Sequence, residues 1–167
     1  MNMFSSNLLF ENCKLVHGFA AAVATTATST ADIVSMKNHR KCVAIIQVLN
    51  GTTVTGSAIT LLQSTAVAGT SAKALAFTKM WANLDCAATD TLVETAVTSN
   101  TFTTDATNAK ILQYVIDIDV ASMDHANGFD CVQVKCATSV ATLTFSVQYL
   151  LYGSRYISAP QASAIID

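Results

Sequence analysis

The stretch Lys110 to Cys136, KILQYVIDIDVASMDHANGFDCVQVKC, decides the fold class. In its first half Leu112, Tyr114, Ile116 and Ile118 fall on one side of an extended chain, and Gln113, Asp117 and Asp119 on the other. That is the period of two that a half-buried strand requires. Val132, Val134 and Cys136 repeat the pattern opposite Gln133 and Lys135. Between the two runs, Asp119 is a candidate N-cap for one helical turn over Val120 to Ala126, and Asn127-Gly128 reads as a tight turn.

Working outward, further strands are predicted at Ile33–Met36, Cys42–Leu49, Ser57–Gln63, Ala74–Leu84, Thr91–Val97 and Leu143–Tyr152. Asn50-Gly51-Thr52-Thr53 reads as a hairpin turn, because Asn-Gly readily takes the positive φ of a primed turn. Residues 64–72 and Thr98 to Asn108 read as uncharged loops. No β-α-β alternation favours a parallel sheet. The expectation is an all-β protein, an antiparallel β-sandwich of jelly-roll type with an extended N-terminal arm. The arm takes residues 1–31, the sandwich 32–157, and a C-terminal tail 158–167. The arm is expected to be an extended strand or strap, reaching a neighbouring subunit or packing on its own sandwich. With only one proline, Pro160, strand edges must be blunted by other means or by pairing between subunits.

At 167 residues the chain suits a single domain, and 51% hydrophobic residues suffice for one core. Only 12% are charged, about half the usual share. With a mean hydropathy of +0.43, a freely diffusing monomer would be poorly protected against association, so much of the exterior is expected to be covered by other subunits. A net charge of −2 disfavours nucleic-acid binding. The one basic run, Lys37-Asn38-His39-Arg40-Lys41, reads as a solvated turn before a strand. The alanine-rich stretch after Lys14 is too short and interrupted to cross a bilayer and, with Glu11 and no basic region before it, is not expected to act as a secretion signal.

Chemistry-bearing motifs are sparse. The five cysteines show no close-spaced pair; Cys42, Cys86 and Cys136 read as buried free thiols, while the opposite strand parity of Cys131 would turn it outward. His17, His39 and His125 lie far apart, and His125 with Cys131 and Cys136 has the wrong spacing for a zinc site. Asp117 and Asp119 share a face, about 7 Å apart, as a glycosidase pair or calcium ligands would. Beside a turn, they read better as structural anchors. There is no nucleophile elbow, phosphate loop or dinucleotide fingerprint. No catalytic residue, metal or cofactor is expected. Met80, Ala82 and Leu84 form one face of their strand, which makes Trp81 an anchor for a core or an interface, or else a ligand platform.

The order of these features resembles that of small structural proteins from the head and tail modules of tailed bacteriophages. The resemblance rests on Asp32-Ile33-Val34-Ser35-Met36 after an Ala/Thr-rich lead-in, the strand Cys42–Leu49 closing on Asn50-Gly51, the Val115-Ile116-Asp117-Ile118-Asp119 and Asn127-Gly128-Phe129-Asp130-Cys131-Val132-Gln133-Val134 unit, and a last strand closing on Gly153-Ser154-Arg155-Tyr156. It implies a virion component made in the host cytoplasm, a capsid decoration or cement protein whose partners are the major capsid protein and copies of itself. Trimers fit sites of local threefold symmetry and dimers are the alternative. A neck or tail component, a connector or tail-completion protein, and a receptor- or glycan-binding module are the rival readings. Neither a nucleic acid nor a membrane is an expected partner. Phe10, Phe19, Lys37, Arg40, Trp81, Arg155 and Tyr156 are the candidate contact residues, being of the aromatic and cationic types that anchor interfaces.

Overall fold

Residues 9–23, 29–137, 143–155 and 162–166 are described by the computed structural model. After one helical turn at Leu9–Asn12 the strands are β1 (Cys13–Val23), β2 (Ser29–Thr30), β3 (Val34–Ser35), β4 (Lys41–Asn50), β5 (Ala58–Ser64) and β6 (Lys73–Ala74). They continue with β7 (Lys79–Asn83), β8 (Val93–Ala96), β9 (Thr101–Thr103), β10 (Ile111–Asp119), β11 (Cys131–Cys136) and β12 (Leu143–Tyr152). A front sheet runs in the order β1-β12-β4-β10-β7-β8, and a back sheet in the order β2-β11-β5-β6, with β3 also on β11 and β9 also on β5. Every pairing is antiparallel. The all-β sandwich expected from the alternation is therefore the fold observed.

The core is built from alternate residues of the front strands facing those of the back. Across the front sheet Val147, Ile46, Tyr114 and Ala82 stand in one inward row, and Tyr149, Ala44 and Ile116 in the next. Val132 and Val134 face them from β11 and Ile59 and Leu61 from β5, all buried. Two phenols satisfy their polar ends inside this core: Tyr149 Oη accepts from the Val134 N–H at 2.9 Å and Tyr114 Oη from the Asp105 N–H at 2.8 Å. The first of these bonds ties the two sheets together, and a buried phenol without such a partner would be costly.

Several local expectations change at the level of pairing. Eleven residues of the expected arm form an integral strand, the expected alternative of packing on its own sandwich: β1 lies against β12 from Cys13 opposite Tyr152 to Val23 opposite Thr144. The boundary drawn at residue 31 therefore falls inside the sandwich. The register of β1 slips between His17 and Phe19 and again between Phe19 and Ala22, and such bulges blur the alternation by which a strand is recognised. At the first slip a Cβ on Gly18 would come within 2.6 Å of the Tyr149 ring, so only glycine fits there. The Gly18 carbonyl accepts from the Asp32 N–H at 2.7 Å.

Neither Asn-Gly pair makes a hairpin. β4 and β5 belong to different sheets, as do β10 and β11, so both links are crossovers. Gly128 takes a positive φ of 79° to close the turn His125–Asn127, whereas Gly51 is not among the positive-φ glycines. Asn50 instead ties a loop, its side-chain amide donating to the carbonyls of Asp105 and Thr107. The predicted strand Ala74–Leu84 is two, β6 in the back sheet and β7 in the front. The loop expected at Thr98 to Asn108 contains β9, which pairs with β5 and buries Phe102.

Candidate assembly surface

The outward face of the front sheet is formed by the residues that alternate with the core. Antiparallel registers carry each row straight across the strands: His17, Gln148, Ile45, Val115, Trp81 and Glu94 form one, and Leu15, Leu150, Val43 and Asp117 the next. On the other side, Thr144, Leu49 and Ile111 make a third. Leu15, Leu49 and Ile111 are 50%, 50% and 46% exposed. Val43, Ile45, Val115, Leu150 and Trp81 are half-buried with no second layer above them among the described residues. A solvated sheet face ordinarily alternates to polar residues; this one carries two aliphatic patches, Leu15, Leu150, Val43, Ile45 and Val115 on one side and Leu49 with Ile111 on the other, separated by the polar row Ser146, Gln47, Gln113 and Asn83. Between Leu49, Ile111 and Thr144 lies a shallow hollow of about 280 Å³.

Charge on this face is confined to the margin near β7, β8 and the end of β10, where it is paired. Lys41 Nζ lies 3.4 Å from Asp119, and Lys79 Nζ 3.2 Å from Glu94. Tyr152 Oη donates to Asp117 at 3.3 Å. Asp119 caps the turn Val120–Ser122 by accepting from the Ala121 N–H at 2.9 Å, as its position in the sequence predicts. That bond, and after it Lys41, holds the Asp119 carboxyl below its ordinary range against the opposing effect of desolvation. A glycosidase acid needs the reverse shift. Asp117 and Asp119 do border a cleft of about 270 Å³ with Phe77, Lys79 and Trp81. In it the Lys79 ammonium sits 5.7 Å from the centre of the Trp81 ring.

The candidate contact residues are scattered. Phe10 is 62% exposed on the N-terminal helical turn. Phe19 instead stacks on Phe145, ring centres 5.0 Å apart and 11° from parallel, and packs against the core. Trp81 sits half-buried in the aliphatic rows with Met80 and Ala82 buried beneath it, while Leu84 on the same parity is 48% exposed beyond the end of β7. Lys37, Arg40 and Arg155 come together at one end: the Arg155 N–H donates to the Asn38 carbonyl at 2.8 Å, and the Arg40 N–H to the Tyr152 carbonyl at 3.2 Å. Lys37 Nζ lies 3.8 Å from Asp130. His39, expected in a solvated turn, is buried. Tyr156 lies outside the described residues.

Cys42 and Cys136 are buried with thiols pushed well above their ordinary range by desolvation. Cys131, expected to face outward, is buried as well. Its strand has neighbours on both sides, and Ser35, opposite Cys131 in the register, donates its N–H to the carbonyl of buried Ala164. Cys86 is only partly buried, in the turn after β7. Among the described residues no three His, Cys, Asp or Glu side chains gather as metal ligands, and no helix is long and apolar enough to cross a membrane.

Leu15, Val43, Ile45, Val115 and Leu150 were not among the contact residues proposed from sequence. A signal was present, because Cys42–Leu49 and Leu143–Tyr152 carry aliphatics on both parities. Such a run reads equally well as a strand buried on both sides.

No family model matches the chain, and no curated protein matches it. Among solved structures, the SPBc2 prophage-derived protein YomS is similar at 15% identity with a TM-score of 0.45, over 84% of this chain and 92% of that one.

Proposed function

We propose that the protein is a non-catalytic structural component of a tailed-phage virion, a decoration or cement subunit that seats the outward face of its front sheet on the capsid. The observation that carries this reading is the pair of half-exposed aliphatic patches on the outer face of the front sheet, a face free of charge over most of its width. Its size suits such a contact. Six strands at about 4.8 Å and some eight residues at about 3.3 Å give about 750 Å² for the whole outer face, polar rows included, close to the roughly 800 Å² per partner of a standard interface. Exposed apolar patches rimmed by polar residues mark interaction sites on soluble proteins. The tailed-phage resemblance of the sequence supplies the setting, and the low charge of the chain supports a subunit held by neighbours rather than a free enzyme.

Copy number and position on reconstructed particles test the reading. Hundreds of copies across the capsid faces are expected. A dozen or fewer at the vertex would make the protein a neck or tail component, and absence from particles would overturn the proposal. Glycan binding lost in Trp81→Ala would instead make the Phe77–Trp81 cleft a receptor site.

A further inference from the structure

Among the described residues the sandwich has four open sheet edges, and three are blunted. The back sheet ends in β2 with β3 on one side and in β6 with β9 on the other, strands of two or three residues. On the front sheet β1 is broken by its two register slips. Short strands and bulges are the usual protections against edge-to-edge pairing. β8, at the other end of the front sheet, is longer at four residues and has no bulge. It runs Val93-Glu94-Thr95-Ala96 in regular register with β7, holds no proline, and is exposed at every residue.

The phase of this edge follows from one bond. Val97 donates its N–H to the Thr78 carbonyl at 2.9 Å, and antiparallel pairs alternate between bonded and non-bonded. Val93 and Thr95 therefore bond β7, and the N–H and C=O groups of Glu94 and Ala96 point away from the sheet. Val93 shares the inward parity of Met80 and Ala82 yet is 62% exposed, so the front sheet overhangs the back one here. Beneath the overhang Ala82, Leu84, Val93 and Thr95 border an apolar hollow of about 480 Å³.

We propose that β8 pairs antiparallel with the β8 of a second copy, joining two front sheets into one across a two-fold axis at Thr95. The inference goes beyond the capsid reading and stands or falls without it. Self-complementarity selects a second copy as the occupant. With Thr95 opposite itself, Glu94 lies opposite Ala96 of the other copy, and the two outward residues exchange four backbone hydrogen bonds. Val93 then faces the Val97 of the other copy on the inner side, an aliphatic pair made twice by symmetry. On the outer side Lys79 neighbours Ala96 in the register. The Glu94 of the second copy thus enters the same row as Lys79, separated from it only by a methyl group. Each lysine gains a second carboxylate within reach, whereas the neighbouring register that sets Glu94 against Glu94 opposes like charges.

Sedimentation of the purified full chain over a concentration series is expected to show a dimer. Ala96→Pro deletes an outward donor and leaves the bonds to β7 intact. Two hydrogen bonds are lost per dimer, so the dissociation constant should rise by about 30-fold with an unchanged circular dichroism spectrum. Thr95→Cys, oxidised mildly, is expected to give a covalent dimer whose linked peptides both contain position 95, which wild type under the same treatment does not. That variant decides the question if Ala96→Pro fails to fold. A monomer at about 100 µM, far above the micromolar range of modest specific association, would overturn the proposal. So would an oligomer indifferent to Ala96→Pro, no bridge through position 95, or an edge that captures only another protein's strand.

Discussion

The two sheets differ in what lies over their outer faces. On the back sheet, β11 is buried on both sides: Gln133 donates its amide to the Ala31 carbonyl at 3.1 Å, and the Ser64 hydroxyl donates to the Ala66 carbonyl at 2.9 Å. Ala164 is buried where its carbonyl meets Ser35. The chain thus uses its own loops and its C-terminal residues to shield the back sheet. The front sheet, with longer strands and more aliphatic outer rows, receives no such cover among the described residues. Burying apolar area is the main favourable term in folding, and here a large share of it is left unused by the single chain. On the proposed reading, the back sheet completes the fold while the front sheet is left for association.

Neighbouring residues of one strand offer the sharpest way to break that contrast. Ile46 is fully buried and Ile45 beside it faces out. Ile46→Ala is expected to cost about 2–5 kcal/mol in urea denaturation, through lost transfer energy and the cavity left behind. On the shielded outer face of the back sheet, Gln133→Ala removes the donor to a buried carbonyl and should cost about 1–3 kcal/mol. On the bare face, Ile45→Lys should stay within about 0.5 kcal/mol of wild type in the isolated chain yet be lost from assembled particles. If Ile45→Lys unfolds the subunit, the front face is part of the fold and the contrast collapses.

Alkylation of the native protein should follow the same division. Cys13 and Cys86 are expected to react, while Cys42, Cys131 and Cys136 label only on unfolding, as peptide mass spectrometry would show. The smallest effect concerns pH. Because the folded state holds the Asp119 carboxyl below its ordinary 3.8, its contribution to stability is present above that value and fades as the pH falls through the folded pKa. Asp119→Ala should flatten the acid limb of stability slightly, measurable by chemical denaturation at stepped pH.

The alternation of β10 and β11 was legible because period two is written in adjacent residues, and the Asp119 cap because it is local. What pairs with what was not. The Asn-Gly at residues 50–51 prefers a hairpin by itself, but β4 finds its neighbours in β10 and β12, so tertiary pairing overrode the local preference. Parity correctly separated Cys131 from Cys136, yet it could not reveal that the outer side of the back sheet is covered too. The aliphatic outer rows of the front sheet escaped notice for a related reason: a strand with apolar residues on both parities looks the same whether its second face meets a partner or its own chain.

The place of β12 has a consequence for how the protein is made. Among the described residues it is the last strand, yet it lies between β1, the first of them, and β4. Until residues 143–152 have emerged from the ribosome, β1 has no ladder to join and β4 presents an open aliphatic edge. The front sheet must therefore close only after residues 143–152 have been made, by inserting β12 between two strands that have waited for it. Such sequence-distant pairing is slow and exposes nascent chains to aggregation. A chain stopped before β12 should accumulate as an insoluble, chaperone-bound species.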